Sequence, residues 1–164
     1  LISYLVFMVF CRKKKSKKKT QFNPWLWVAL WMLIIFLFST STFSGENTSR
    51  IIGPILKWIT PDISSEAVSF IQFLFRKTAH VIEYAILAIL LCNAFIRRMI
   101  DFSVTGLMFK SVLICFIYAV FDEWHQSWTA DRIGSLMDVS SDTVGALFGA
   151  IIFVCVLNFK SKNI

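Results

Sequence analysis

The chain has 164 residues, 57% of them hydrophobic, with 17 Phe, 6 Trp and a formal net charge of +7. A mean hydropathy of +0.68 is too apolar for a soluble domain of this length. Spanning helices need roughly 20 apolar residues each, so three or four would use about half the chain, which leaves no room for a separate soluble domain. The composition predicts one domain: an all-α, polytopic integral membrane protein built as a bundle of about four transmembrane helices.

The opening LISYLVFMVFC is shaped like a signal-peptide core but is too short to span, and no cleavage site follows it. An upstream start-site artefact over residues 1–7, with Met8 as the natural beginning, is the favoured reading over a membrane-dipping stub. Arg12, Lys13, Lys14, Lys15, Lys17, Lys18 and Lys19 come next. This run reads as an anchor to anionic lipid rather than a nucleic-acid arm, because no aromatic-interleaved soluble module accompanies it.

The first span is expected from Pro24 to Phe43. Between residues 44 and 75, Pro54 and Pro61 break an outer segment in which Lys57, Glu66 and Gln72 alternate with apolar residues, so one or two short amphipathic helices are expected in the interface. They would form a lid, or tie the first span to the second. The second span is expected from about Thr78 to Ile96, the third from Val104 to Phe121 with Lys110 snorkelling, and the fourth from Thr143 to Phe159. Residues 1–23 are then a basic cytoplasmic segment, 24–159 the transmembrane domain and 160–164 a cytoplasmic tail.

Short cytoplasmic loops hold the excess of Lys and Arg, so the basic run sets the N-terminus inside. With four spans, Arg97, Arg98, Lys110, Lys160 and Lys162 also fall on that side, as does the C-terminus. Glu46, Asp62, Glu66, Glu83, Asp122, Glu123, Asp131, Asp138 and Asp142 fall outside or at the outer helix ends, which leaves Asp101 as the inner acid. A multi-pass plasma-membrane protein with both termini cytoplasmic is expected.

Polar side chains converge at the outer end. The second span opens with Lys77, His80 and Tyr84 on one helical stripe and Glu83 beside it. Asp122 and Gln126 sit four apart at the end of the third span, with Glu123 on an adjoining face; His125 follows, and the loop supplies Arg132. Asp138 and Asp142 are again four apart where the fourth span begins. Charge inside a membrane costs about 2.5–3.5 kcal/mol per group at a helix centre, so such a cluster marks a site by default.

These residues carry a family likeness. Lys77, His80 and Tyr84; Asp122, Glu123 and Gln126; then Arg132, Asp138, Asp142, Gly145 and Gly149 resemble the motifs of the VanZ-like membrane proteins, as does Phe38-Ser39 at the end of the first span. The resemblance covers most of the chain after Pro24. One departure is Ala130-Asp131, where the family usually carries a Pro-Gly turn before the Arg. It implies a small polytopic protein of a family named after a member linked to low-level teicoplanin resistance in Gram-positive bacteria, with no settled biochemical activity.

Plainer readings stand beside the functional one. His80 is then an interface histidine satisfied by one carboxylate, and Arg132 locks the loop through Asp138 or Asp122. Lys77 snorkels, Tyr84 is an interfacial belt residue, and Gly145 with Gly149 is a packing motif. Taken together, one His, several carboxylates and an Arg at one depth exceed what fold stability needs. The expected ligand-binding set is Lys77, His80, Tyr84, Asp122, Glu123, Gln126, Arg132, Asp138 and Asp142; catalytic candidates are His80, Glu83, Asp122 and Glu123.

No cofactor is expected. His80 with Glu83 lacks the second His of a zincin motif, although Asp122, Glu123, Asp138 and Asp142 offer oxygen ligands of the kind that suit calcium or magnesium. Cys11, Cys92, Cys115 and Cys155 lie in or beside apolar stretches without a CxxC pair, so a disulfide framework is not expected. Asn47-Thr48-Ser49 would be a glycosylation acceptor only in a secretory eukaryotic context.

Three function classes follow. The site binds an envelope lipid or glycopeptide-related ligand, with Arg132 and Lys77 meeting phosphate or carboxylate groups. Alternatively it is a hydrolase or transferase in which one carboxyl is the general acid and another, or His80, the base. The third class is an ion-coupled carrier, which with four spans and no visible repeats would require a homo-oligomer.

Overall fold

A computed structural model describes residues 23–40, 45–98, 103–127 and 135–162. Within them the chain forms five helices: α1 Pro24–Ser39, α2 Gly45–Ile59, α3 Ser65–Ile96, α4 Val104–Gln126 and α5 Leu136–Lys162. Three of these, α3, α4 and α5, are long and apolar enough to cross a membrane; α1 is a shorter apolar helix. The basic N-terminal run lies outside the described residues.

Each start has a local cause. Asn23 accepts a hydrogen bond from the Trp25 amide while Pro24 occupies the first turn, where its missing N–H costs nothing. Ser64 and Ser103 cap α3 and α4 in the same way, their hydroxyls accepting from the amides of Ala67 and Gly106. The first span ends earlier than expected. Thr40 turns its hydroxyl back onto the Leu37 carbonyl at 2.6 Å, a local bond that competes with helix continuation. At 16 residues, α1 rises about 24 Å, and the rest of the expected span falls largely outside the described residues.

The other spans are longer than their apolar runs. Pro61 sits in the turn that ends α2, but Pro54 lies inside that helix rather than breaking it. From Ser65 the backbone is continuously helical for 32 residues, so Glu66 and Gln72 belong to α3 and not to a separate interfacial helix. Likewise α4 continues past Phe121 to Gln126 and α5 starts at Leu136 rather than Thr143. Asp122, Glu123, Gln126, Asp138 and Asp142 are therefore all helical.

The central element is α3, which packs against each of the other four helices. Tyr84, Leu87, Ala88, Leu91 and Ala94 of α3 form the core with Val28 and Ile35 of α1, Cys115 and Ala119 of α4, and Val139 and Ala146 of α5. Trp25 meets Phe95 edge-on with ring centroids 5.2 Å apart, and Trp31 Nε1 donates to the Glu83 carbonyl at 2.9 Å, so α1 runs antiparallel to α3. A second cluster of Cys92, Leu107, Ala150 and Phe153 fills the opposite end. Large apolar side chains cover the outside of α4, among them Phe109, Phe116, Ile117, Val120 and Phe121, as a lipid solvent allows.

Gly145 and Gly149 set the α3–α5 seam. A Cβ on Gly145 would run into the Val81 carbonyl oxygen, with Val81 Cα at 2.9 Å; one on Gly149 would run into the Ala85 carbonyl oxygen, with Ala85 Cα at 2.7 Å. The two helices touch backbone to backbone, the close approach that small residues four apart permit in membranes. This seam fixes which residues of α3 face which residues of α5, and so assembles the polar end of the bundle.

Candidate functional site

Four helices contribute to one polar cluster. Ser39 comes from the end of α1, Lys77, His80, Glu83 and Tyr84 from α3, Asp122, Glu123 and Gln126 from α4, and Asp138 and Asp142 from α5. Its interior is sealed. Asp122 and Asp142 are 1% exposed, Ser39 3%, Gln126 4%, Glu123 6%, and Tyr84 is fully buried. Tyr84 is therefore a core residue, not a member of an interfacial belt.

Asp122 is held from one side. Its Oδ2 accepts from the Ser39 hydroxyl at 2.7 Å and from Gln126 Nε2 at 2.9 Å, and Gln126 also reaches Ser39 Oγ at 3.2 Å. Glu123 Oε2 accepts from the Ser135 amide at 3.0 Å, tying the end of α4 to the start of α5. Ser39 is the residue whose partnership the sequence reading missed. Its signal was a hydroxyl closing an otherwise apolar run, next to a helix whose acid needed a donor. Ser39→Ala is expected to lower stability by about 1–2 kcal/mol, the range for a lost bond to a carboxylate tempered by membrane values. Thermal unfolding in detergent measures it.

The rim carries the basic groups. Lys77 forms an ion pair with Asp138 and lies over the Phe73 ring, 5.4 Å from its centroid. Its role is thus more than snorkelling. His80 Nδ1 stands 3.9 Å from Glu83 Oε2 and 4.0 Å from Asp142 Oδ1, on the stripe expected from the i, i+3, i+7 spacing. His125, on the α1 side of α4, packs its ring on Phe36 with centroids 4.7 Å apart. Arg132 lies outside the described residues.

Several buried atoms lack a hydrogen-bonding partner: Asp122 Oδ1, Glu123 Oε1, both oxygens of Asp142 and the Tyr84 hydroxyl. Asp142 lies within electrostatic reach of Asp122, Glu123, Glu83 and Lys77, and Tyr84 within reach of Asp122 and Asp142. Buried polar groups are nearly always satisfied, so a concentration of open acceptors calls for an explanation. Among the described residues, no three His, Cys, Asp or Glu side chains are arranged to hold a metal ion. The free cysteines Cys92 and Cys115 are buried and Cys155 is exposed; Cys92 Sγ donates to Ser111 Oγ at 3.2 Å, away from the acids.

Compared with known proteins, residues 22–158 match a family model described as VanZ/LLP1. No curated protein matches the chain, and no solved structure does.

Proposed function

The chain belongs to the VanZ/LLP1 family, and on that premise we propose that its acidic end is a binding site for a cell-envelope ligand, contributing to glycopeptide (teicoplanin) resistance. One observation carries the reading: four carboxylate oxygens on Asp122, Glu123 and Asp142 are buried without a hydrogen-bonding partner. Leaving a buried acceptor unmet costs about 1–3 kcal/mol, more for a charged one, which fold stability alone does not call for. Lys77, His80, Tyr84, Gln126 and Asp138 surround the acids, and Arg132, between α4 and α5 in the sequence, completes the set that the family likeness suggests. The proposed setting is a Gram-positive plasma membrane with both termini cytoplasmic and the acidic end outside, as the basic residues favour.

A second reading draws on His80. An imidazole between two carboxylates suits a general acid or base, and a hydrolase or transferase acting on a lipid-linked envelope intermediate would use it. An ion-coupled carrier, working as a homo-oligomer, would use the same carboxylates.

The test is teicoplanin susceptibility of a Gram-positive host expressing the full chain or its variants at matched membrane levels. Glu123→Gln keeps shape but removes charge, and is expected to abolish resistance conferred by the parent. His80→Gln separates the readings: binding retains part of the resistance, whereas proton transfer loses at least about a hundredfold in rate and with it the phenotype. Resistance that survives Glu123→Gln unchanged would sink the site.

A further inference from the structure

Resting on the reading of this end as a ligand site, we infer that the group it receives is a primary ammonium, carried on the head group of an amphiphile. Each acid is fixed through one side only, or through none. Asp122 spends Oδ2 on Ser39 and Gln126 and keeps Oδ1 open; Glu123 spends Oε2 on the Ser135 amide and keeps Oε1 open; Asp142 keeps both.

The Tyr84 hydroxyl is an independent sign of a missing occupant. It belongs to no carboxylate, is fully buried, lies within electrostatic reach of Asp122 and Asp142, and has no hydrogen-bonding partner. Among the acids and Tyr84 the unmet groups are thus four acceptors and one hydroxyl that can donate or accept, while His125 Nδ1, on the α1 side of α4, is a further buried nitrogen without a hydrogen-bonding partner. A phosphate or carboxylate would bring more acceptors and more negative charge to this interior. Lys77, within electrostatic reach of Asp142, is already paired with Asp138, and His80 Nδ1 stands 4.0 Å from Asp142 Oδ1, beyond hydrogen-bond distance.

An ammonium reverses every sign. It carries three N–H donors and no acceptor, and its charge opposes that of the acids. A quaternary ammonium has the same charge but no N–H, so it would leave the open oxygens as they are. Among the described residues no three His, Cys, Asp or Glu side chains are arranged to hold a metal ion, whereas the three N–H donors of an ammonium are satisfied by fewer carboxylates together with a hydroxyl such as that of Tyr84. The apolar exteriors of α3, α4 and α5 suit a lipid solvent, which supplies amphiphiles at high local concentration.

The experiment measures Tm of the purified full chain in detergent with four additions at equal concentration. These are a phosphoethanolamine-headed lipid, the phosphocholine-headed lipid with the same acyl chains, the phosphoglycerol-headed lipid, and free ethanolamine. The ethanolamine lipid is expected to raise Tm by about 5 °C or more at a hundredfold excess over Kd, with the choline and glycerol lipids giving less than a third of that. Both Asp142→Asn and Tyr84→Phe should shrink the rise.

Free ethanolamine giving the full rise, with choline lipid still inactive, keeps the ammonium chemistry and assigns its source to water. Choline lipid matching the ethanolamine lipid overturns the proposal, since charge without N–H then suffices. So does a rise that Asp142→Asn and Tyr84→Phe leave intact. No rise with either amine overturns it as well. Loss of resistance in Glu123→Gln would in that case keep the ligand site while rejecting its ammonium, and unchanged resistance would reject both.

Discussion

Asp142→Asn is expected to stabilise the ligand-free protein by about 1–2 kcal/mol while abolishing the resistance that the parent confers. Asp142 is 1% exposed with neither carboxylate oxygen hydrogen-bonded; Asp122, Glu123 and Glu83 lie within electrostatic reach, as do Lys77, which is paired with Asp138, and His80, whose Nδ1 is 4.0 Å away. Asparagine has nearly the same shape, removes one ionisable acid from this group and adds an amide donor for the open oxygens of its neighbours. Gains of that kind mark residues retained for function at the expense of stability. A structural role predicts the opposite sign, because breaking a buried charge pair typically costs 3–5 kcal/mol. Thermal unfolding in detergent reads one half of the prediction and teicoplanin susceptibility the other. A variant that is less stable than the parent would make Asp142 a strut of the bundle.

Much of this arrangement was legible in the sequence because helix periodicity and membrane topology constrain each other. Once α3 enters at the end where α4 leaves and α5 begins, Lys77, His80, Asp122, Asp138 and Asp142 have to share one level. The spacing of four in Asp122 and Gln126, and in Gly145 and Gly149, placed each pair on one face. Helix ends were less legible. Apolar runs stop where polar residues begin, but the backbone hydrogen-bonds within the helix regardless of side-chain polarity, so α4 passes through Asp122 and α5 starts at Leu136. Between residues 65 and 96 no Gly or Pro interrupts the chain, a cue to the length of α3 that hydropathy hides behind Arg76 and Lys77. Partner choice was the least legible. The sequence offered Arg132 to Asp138 or Asp122, and Arg132 lies outside the described residues; the pairing of Lys77 with Asp138, set by the packing of α3 on α5, was not offered. Ser39 becomes the donor to Asp122 only because α1 ends beside α4, a fact of tertiary structure that local patterns do not encode.

Gly149→Ala is the substitution with the largest expected loss. In an exposed helix the change would gain about 1 kcal/mol from helix propensity. Here the added methyl meets backbone: the Ala85 carbonyl oxygen, with its carbon and Cα at 2.7 Å. Overpacking usually costs 1–3 kcal/mol and more where nothing can yield; with propensity subtracted, a net loss of about 3 kcal/mol and reduced accumulation in the membrane are expected. Since the obstacle is main chain, Ala85→Gly on the facing helix should give no rescue. A clash with a side chain would be relieved by that second change, so the double variant decides between the two. Gly53→Ala is the internal control, because a Cβ there meets Gln72 Nε2 at an ordinary 3.7 Å, and its Tm should stay at or above that of the parent. The function should fall with the fold. Any displacement of α5 along α3 withdraws Asp142 from His80, now 4.0 Å away, and Asp138 from Lys77. Residual folded Gly149→Ala protein should therefore confer less resistance per molecule than the parent, whereas equal resistance per molecule would mean that the glycine seam holds the bundle together without setting the register of its acidic end.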